Sequence, residues 1–492
     1  MAGMTPGLYK LASIAARGEV TAVGSIVICG GGVIGLSAAT MLARDGHEVT
    51  VLEADPGCAP ATPSEAWESW ARKGVVQFRQ PHYLFPRIRQ IWDAELPGIT
   101  GRLVAVGCAR IDPLGAPAQG GFLPPSLPDR SPRPGDEAFR LVTGRRPVIE
   151  SVIAAAAEEQ PGVVIRRGVR ATELTAGPPA IPGIPHVAGV RTSTGKELRS
   201  DLVVDAMGRR SRGPELLIAL GARPPHTEAE DSGFAYYTRY FTGPARPARL
   251  SPPNTPLGTM SVVALDGDNN TWSVTVVSSS GDAALKALRD AERFTHVISA
   301  CPLHAHWLDG RPITDVLPMA GILDRYRRFV VGDRPVATGF AAVGDAWACT
   351  NPSAGRGISV GMIHAQLLRR AVRDHLGDPA GFVRAWDEGT EQQVAPFVRN
   401  QIRADRVRLA EMSALREGCK WTPPDSMMTR LISAAAYDAD VFRAFLETHL
   451  CLALPQEVVQ RPNVADTIEQ WGHKAPPPFP GPDRQRLLEL LS

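Results

Sequence analysis

SIVICGGGVIGLSAATMLARDGHEVTVLEAD, running from Ser25 to Asp55, is the stretch whose reading decides the fold. An apolar run, Ser25–Cys29, ends on Gly30, Gly31 and Gly32, and Gly35 follows. Ala38, Ala39, Met41 and Leu42 then recur at helical spacing until Arg44 and Gly46, and a second apolar run, Val49–Leu52, stops on Glu53. Strand, tight turn, helix and strand thus fall within about 30 residues, the context that gives a G-x-G-x-x-G spacing its meaning. Gly30 permits the turn, Gly32 lets a pyrophosphate approach the backbone, and Gly35 lets helix and strand pack closely. The helix N-terminus offers unpaired N–H groups and a positive dipole end to phosphates. Glu53, about 20 residues on, can accept both hydroxyl hydrogens of an adenosine ribose. The unit reads as a dinucleotide site.

No charge occurs between Glu19 and Arg44, a length that could span a bilayer. Three consecutive glycines at its centre argue against a spanning helix. A chain of 492 residues that is 44% hydrophobic and 21% charged has ample core for several domains. Its net charge of +2 gives no electrostatic case for nucleic acid or an acidic membrane. Seven scattered cysteines without a C-x-x-C pair suit reduced thiols, and hence a cytoplasmic location. His304 and His306 lack any accompanying cysteine or carboxylate cluster, so no metal site is expected. Residues 1–24 contain no continuous apolar segment of the kind a secretory signal needs. They read as an N-terminal extension with a helix over Leu8–Arg17.

Further along, Glu65–Leu96 is helical in parts, anchored by Trp67, Trp70, Ile88, Ile91 and Trp92. Between the helical pieces RKGVVQFRQPHYLFP, Arg72–Pro86, mixes Arg, Gln and His with apolar residues. It fits either a cofactor's polar rim or a solvated connection. Asp112–Pro134 is rich in Pro and Gly and reads as a surface loop. Arg146–Glu159 is a helix with Pro147 in its first turn, and Val163–Arg167 is a strand. Val187–Arg191 and Glu197–Leu198 form a hairpin around Ser193–Gly195, and Asp201–Ser211 is a buried strand ending in a Gly/Arg turn. Between Phe234 and Ser280 the pattern changes to antiparallel sheet: FAYYTRYF alternates, and two strands flank an Asp-Gly-Asp-Asn-Asn turn. Ala283–Leu308 returns to helix.

FAAVGDAWACTNPSAGRGISVGMIHAQLLRR, Phe340–Arg370, is the second informative stretch. An apolar strand runs into Gly344-Asp345, then a loop with Pro352, Gly355 and Gly357, then a helix from about Ile358. Asp345 at the strand end can hold a ribityl or ribose hydroxyl, and glycines at a helix start permit close approach to an anionic or electron-rich ligand. A structural turn with Asp345 as N-cap is the alternative.

Together the two stretches resemble the glutathione-reductase-type FAD fold of the flavoprotein monooxygenases. That resemblance implies an α/β architecture: a Rossmann-like FAD-binding domain with an inserted antiparallel-sheet substrate domain and a helical C-terminal region. The corresponding boundaries are 25–75, 135–215 and 330–375 for the FAD domain, 76–134 and 216–329 for the substrate domain, and 376–492 for the helical region. Gly30, Gly32, Val33, Ile34, Gly35, Glu53 and Ala54 would hold the ADP half, with Arg72, Arg146 and Val169 beside it. Gly344, Asp345, Pro352, Gly355, Gly357 and Ile358 would hold the ribityl and isoalloxazine half. The family's middle D-G-x-x-S motif stands here as the variant Asp205-Ala206-Met207-Gly208-Arg209-Arg210-Ser211. More narrowly, GVVQFRQPHYLF, FAYYTRYF, DRYRRF and GDAWACTNPSAGRG are similar to segments of actinobacterial-type FAD-dependent epoxidases and hydroxylases, which are related to styrene monooxygenases. Ala348 stands where that family commonly has a histidine.

The resemblance implies a monooxygenase. FAD is reduced by NAD(P)H or by a partner flavin reductase, and a flavin hydroperoxide hydroxylates or epoxidises a sizeable apolar or aromatic molecule. The cofactor carries the hard chemistry, which accounts for the lack of any catalytic triad or paired carboxylates. Tyr236, Tyr237, Tyr240 and Trp272 are candidates to line the substrate pocket or to fill the core. No catalytic residue is assigned. A flavin-dependent reductase of isoprenoid-type double bonds, a flavin halogenase, an NAD-dependent dehydrogenase and a non-catalytic binding protein are the competing readings. The dehydrogenase would leave Phe340–Arg370 unused, and the halogenase signature W-x-W-x-I-P is absent.

Overall fold

The continuous run of Ile26, Val27 and Ile28 in β1 (Ser25–Cys29) is buried from both faces, as the centre of a parallel sheet requires. Each such side chain contributes on the order of 1.5–3 kcal/mol by leaving water. The computed structural model describes residues 23–122, 127 and 129–492, so the helix expected over Leu8–Arg17 lies outside the described residues. From β1 the chain enters α1 (Val33–Arg44), returns in β2 (Glu48–Glu53), and later adds α2 (Arg146–Glu159) and β3 (Val163–Arg167). β4 (Leu202–Asp205) closes the first half.

A second, antiparallel sheet follows, built on β5 (Phe234–Thr242), β6 (Met260–Asp266) and β7 (Thr271–Ser279). The chain then returns to the first sheet through β8 (Phe340–Ala342), which leads into α3 (Gly357–His375). Beyond it the chain is helical, including α4 (Ala439–His449). The parallel sheet has the order β8-β4-β1-β2-β3. The antiparallel sheet runs Asn254–Leu257, β6, β7, β5, Arg311–Pro312, with Leu317–Met319 also pairing β5. The mixed α/β class, the parallel nucleotide-fold sheet, the inserted antiparallel sheet and the helical C-terminal region are those expected from the sequence.

Local chemistry explains the agreement. The turn between β6 and β7 holds Asn269 and Asn270 at φ 48° and 53°, a left-handed conformation that asparagine tolerates. The neighbouring Asp268 carboxylate is buried and paired to Arg145 at 2.7 Å, which pins the hairpin tip to the start of α2. α1 is lined with small residues and sits between the sheet and α3, where Ile34 packs close to Gly344 and Gly361.

Ala171–Ile181 is an eleven-residue strand despite Gly177, Pro178 and Pro179; its pairing with Ile184–Thr192 is broken by register shifts around those residues. One feature departs from expectation. The Asp112–Pro134 segment is not wholly a surface loop, because Leu114, Phe122 and Leu127 are buried. Among the described residues no helix is long and apolar enough to cross a membrane.

Candidate functional site

A cavity of about 750 Å³ opens at the carboxyl ends of β1, β4 and β8, where ligands of open α/β sheets bind. The residues singled out from the sequence converge on it. Of the sixteen, only Gly344 does not line the wall, and it lies directly beneath Ile34.

The glycines of the first turn are glycine for different reasons. A Cβ on Gly30, at φ +115°, would lie 2.3 Å from the Ala206 carbonyl oxygen, and one on Gly35 would lie 2.0 Å from the Gly30 oxygen. Those two are demanded by the chain's own packing. A Cβ on Gly32 would meet no protein atom within 4 Å, and its φ of −84° is ordinary. The protein's own packing therefore does not require glycine there, and the position opens onto the cavity. No side chain caps α1, so its first-turn N–H groups remain available to an anion.

Glu53 is more heavily engaged than its position suggested. Its Oε2 accepts from the Gly31 N–H at 2.9 Å and from Arg72 at 2.6 Å, and its Oε1 accepts from the Asp55 N–H at 2.8 Å. A carboxylate has about four acceptor sites, so the carboxylate as placed has room for one ribose hydroxyl rather than two. Arg72 braces it from behind, reaching also Glu150 at 2.9 Å, Asp55 at 3.2 Å and the Gly31 carbonyl at 3.2 Å. Arg146 shares Glu150 at 2.6 Å and donates to His82 Nε2 at 2.9 Å. Burial and the Arg146 charge push His82 down to about 3, so its Nδ1 donates to the Gln80 carbonyl as a neutral ring. Val169 accompanies this rim, its N–H donating to the Glu53 carbonyl at 2.9 Å.

On the other side stands Asp345. Among the described residues its carboxylate has no hydrogen-bond or ion-pair partner. Burial raises its pKa, opposed by the charges of Arg209, Arg146 and Arg325. It does not cap α3, whose N-cap is Arg356. An unpartnered carboxylate in the same cavity as the glycine turn fits a ligand that brings both phosphates and hydroxyls. Between them Pro352 opens a short turn, Gly355 is left-handed at φ +69°, and Gly357 and Ile358 begin α3.

The loop Arg72–Pro86 lines the cavity rather than lying in solvent, contributing Gln80, His82, Tyr83 and Phe85. Of the four aromatic candidates only Tyr236 reaches the cavity. Tyr237 faces the opposite side of the sheet, Tyr240 packs edge-on against Trp67, and Trp272 donates to the Trp307 carbonyl. The period of two explains the split between Tyr236 and Tyr237. Sequence reasoning missed the wall supplied by α4: Phe442, Phe445, Leu446 and His449. Their i, i+3, i+4, i+7 spacing was the available signal. His304 and His306 turn to Ser251 and to the Ala248 carbonyl respectively.

Tyr236 donates to Asn351, whose N–H donates to Asp324 at 2.6 Å. Burial, with Asp405 and Glu230 nearby, lifts Asp324 to about 6, while the Asn351 N–H and the Arg209 charge oppose the rise. A carboxyl raised in the fold contributes stability below its unfolded pKa near 4 and loses it as pH rises through about 6. Relative to Asp324→Asn, the parent should therefore lose on the order of 2–3 kcal/mol between pH 4 and pH 6.5. Chemical denaturation of both proteins across that window checks it; parallel pH profiles would contradict it.

Residues 25–80 match the family described as FAD dependent oxidoreductase (DAO). A curated relative, Protein Rv3254 of Mycobacterium tuberculosis, is 26% identical over 446 residues, covering 85% of this chain and 88% of that protein. Among solved structures, PqsL of Pseudomonas aeruginosa, described as a probable FAD-dependent monooxygenase, superposes with a TM-score of 0.59 at 15% identity, over 79% of this chain and 99% of its own. The p-nitrophenol 4-monooxygenase PnpA of Pseudomonas putida gives 0.55 at 17%, over 91% and 98%. The flavin-dependent brominase Bmp2 gives 0.55 at 15%, also over 91% and 98%. Residues 25–80 thus carry the opening segment of an FAD dependent oxidoreductase, and the fold over most of the chain is that of these flavin-dependent enzymes.

Proposed function

We propose that this enzyme is an FAD-dependent monooxygenase that hydroxylates or epoxidises a sizeable apolar or aromatic small molecule. The observation that carries the reading is the single cavity joining the Gly32 cradle and Asp345 to an apolar wall. That wall is made by Val263, Leu265, Met319, Phe442 and Phe445. The backbone of Gly30–Gly35 with Glu53 would hold the ADP half of FAD, bordered by Arg146 and Val169. Asp345 would hold a ribityl hydroxyl, and the turn from Pro352 to Gly357 would border the isoalloxazine. Bound FAD supplies the activation of dioxygen. The chain's residues position the substrate, keep the reaction space dry and hold the flavin.

Two electrons come from NAD(P)H, directly or through a partner flavin reductase. One oxygen atom goes to the substrate and the other leaves as water. The resemblance of GVVQFRQPHYLF and GDAWACTNPSAGRG to the epoxidase and hydroxylase group supports the same chemistry, and a cytoplasmic setting suits its reduced donor. The likeness to a brominase raises a halogenase as a second reading. Lys73, the early-loop lysine that reading would use, is exposed and does not itself line the cavity.

Turnover under labelled dioxygen tests the proposal. One labelled oxygen atom should enter the product, and turnover should stop without oxygen. Undiminished anaerobic turnover would favour the double-bond reductase, and product halogenation with bromide present would favour the halogenase.

A further inference from the structure

The C-terminal helical region forms part of the reaction space, and it does so through a ladder of rings. Phe85 lies against the glycine turn, its ring 3.5 Å from where a Gly355 Cβ would stand. His449 packs on Phe85 with centroids 5.6 Å apart. Phe445 stacks on His449 at 5.6 Å, and Phe442 follows Phe445 at 6.4 Å. All four rings line the cavity. The ladder is tied to the turn by its backbone, since Arg356 Nε donates to the His449 carbonyl at 3.2 Å.

His449 is the only ring of the ladder that can hydrogen bond. Among the described residues its two ring nitrogens have no partner, and the ring is only partly buried because it faces the cavity. A polar ring held between phenylalanines without a protein partner costs free energy unless something in the cavity satisfies it. Burial and the Arg356 charge push it down to about 3, so the ring is neutral, with one donor and one acceptor nitrogen.

We infer that His449 is the specificity-determining positioning residue of the substrate pocket. It hydrogen-bonds an uncharged polar substituent of a flat aromatic substrate while Phe85, Phe442 and Phe445 hold the ring. The helix α4 thereby sets which edge of the substrate meets the Pro352–Gly357 turn. This inference rests on the monooxygenase reading for the reaction, but the recognition it describes can be measured apart from turnover.

The test is calorimetric titration of the FAD-supplemented protein with 2-naphthol and with its unsubstituted counterpart naphthalene. The parent should bind 2-naphthol at least tenfold more tightly. In His449→Phe the preference should fall below twofold while naphthalene binding is kept, a result that general damage to the pocket would not give. His449→Gln, which retains a donor and an acceptor, should recover most of the preference. If His449→Phe fails to fold, His449→Leu serves the same comparison. A parent without preference, or a preference surviving both apolar variants, overturns the inference. Labelled oxygen in product alongside an absent preference would leave the monooxygenase reading standing and remove only His449. A clear preference with no label incorporated would do the reverse.

Discussion

Gly32→Val should give a folded protein that no longer retains FAD. The valine side chain would enter a space where no protein atom lies within 4 Å of the new Cβ, and the backbone there has an ordinary φ. The cost to the fold is limited to the weaker N-cap, no more than about 1 kcal/mol. The cost to the ligand is severe, because the isopropyl group occupies the place of the pyrophosphate and blocks the first N–H groups of α1. We expect FAD affinity to fall at least about 100-fold, or roughly 2.7 kcal/mol. Gly35→Ala is the contrasting variant. Its single methyl would stand 2.0 Å from the Gly30 carbonyl oxygen, so it should fail as a fold before it fails as a site. The comparison must be made on apoproteins, since bound FAD would itself raise the melting temperature of the parent. Flavin titration and thermal denaturation of the two apo variants decide the matter. A yellow Gly32→Val protein of parental affinity would remove the phosphate assignment.

The contrast between these glycines marks what the sequence could carry. Gly30, Gly32 and Gly35 were legible because each acts through backbone geometry that depends on residue type and spacing alone. Asp345 and the Pro352–Gly357 turn were legible for the same reason, being tied to a strand end and a helix start. Asn269 and Asn270 announced their turn through their tolerance of positive φ. Side-chain contacts over long separations were not legible. Nothing local says that α4 folds back so that Phe445 and His449 complete a wall begun by Phe85, more than 350 residues earlier. Nor could FAYYTRYF state which of its two faces meets the cavity. Its tyrosines at 236 and 237 are equivalent in composition and opposite in direction, and the sheet's neighbours decide between them.

Arg72 is the instructive intermediate case, and its removal is the second large effect expected. The sequence placed it near the cofactor's rim. In the fold it does border the cavity, but its side chain is 3% exposed and its guanidinium is spent on Glu53, Asp55 and Glu150. Arg72→Ala would leave three carboxylates crowded around an apolar gap, with Arg146 reaching only Glu150. Breaking a buried ion network from one side costs about 3–5 kcal/mol, because the remaining charges stay desolvated without a partner. Arg72→Lys keeps the charge but loses the planar fork that serves several acceptors at once, so it should fall between parent and alanine. The loss should also reach the ligand. Glu53 is held toward the cavity by Arg72 and the Gly31 N–H together, and with only the second it can turn away from a ribose hydroxyl. A rise in FAD dissociation constant of about tenfold should therefore accompany the drop in denaturation midpoint, corresponding to one lost hydrogen bond to a charged group. Denaturant titration of the apoprotein and flavin titration at a temperature where both proteins are folded separate the two effects. If Arg72→Ala lost less than about 1 kcal/mol, the four-residue network would be a set of independent surface-like pairs. Glu53 would then need some other restraint to explain why its carboxylate is held against the Gly31 N–H.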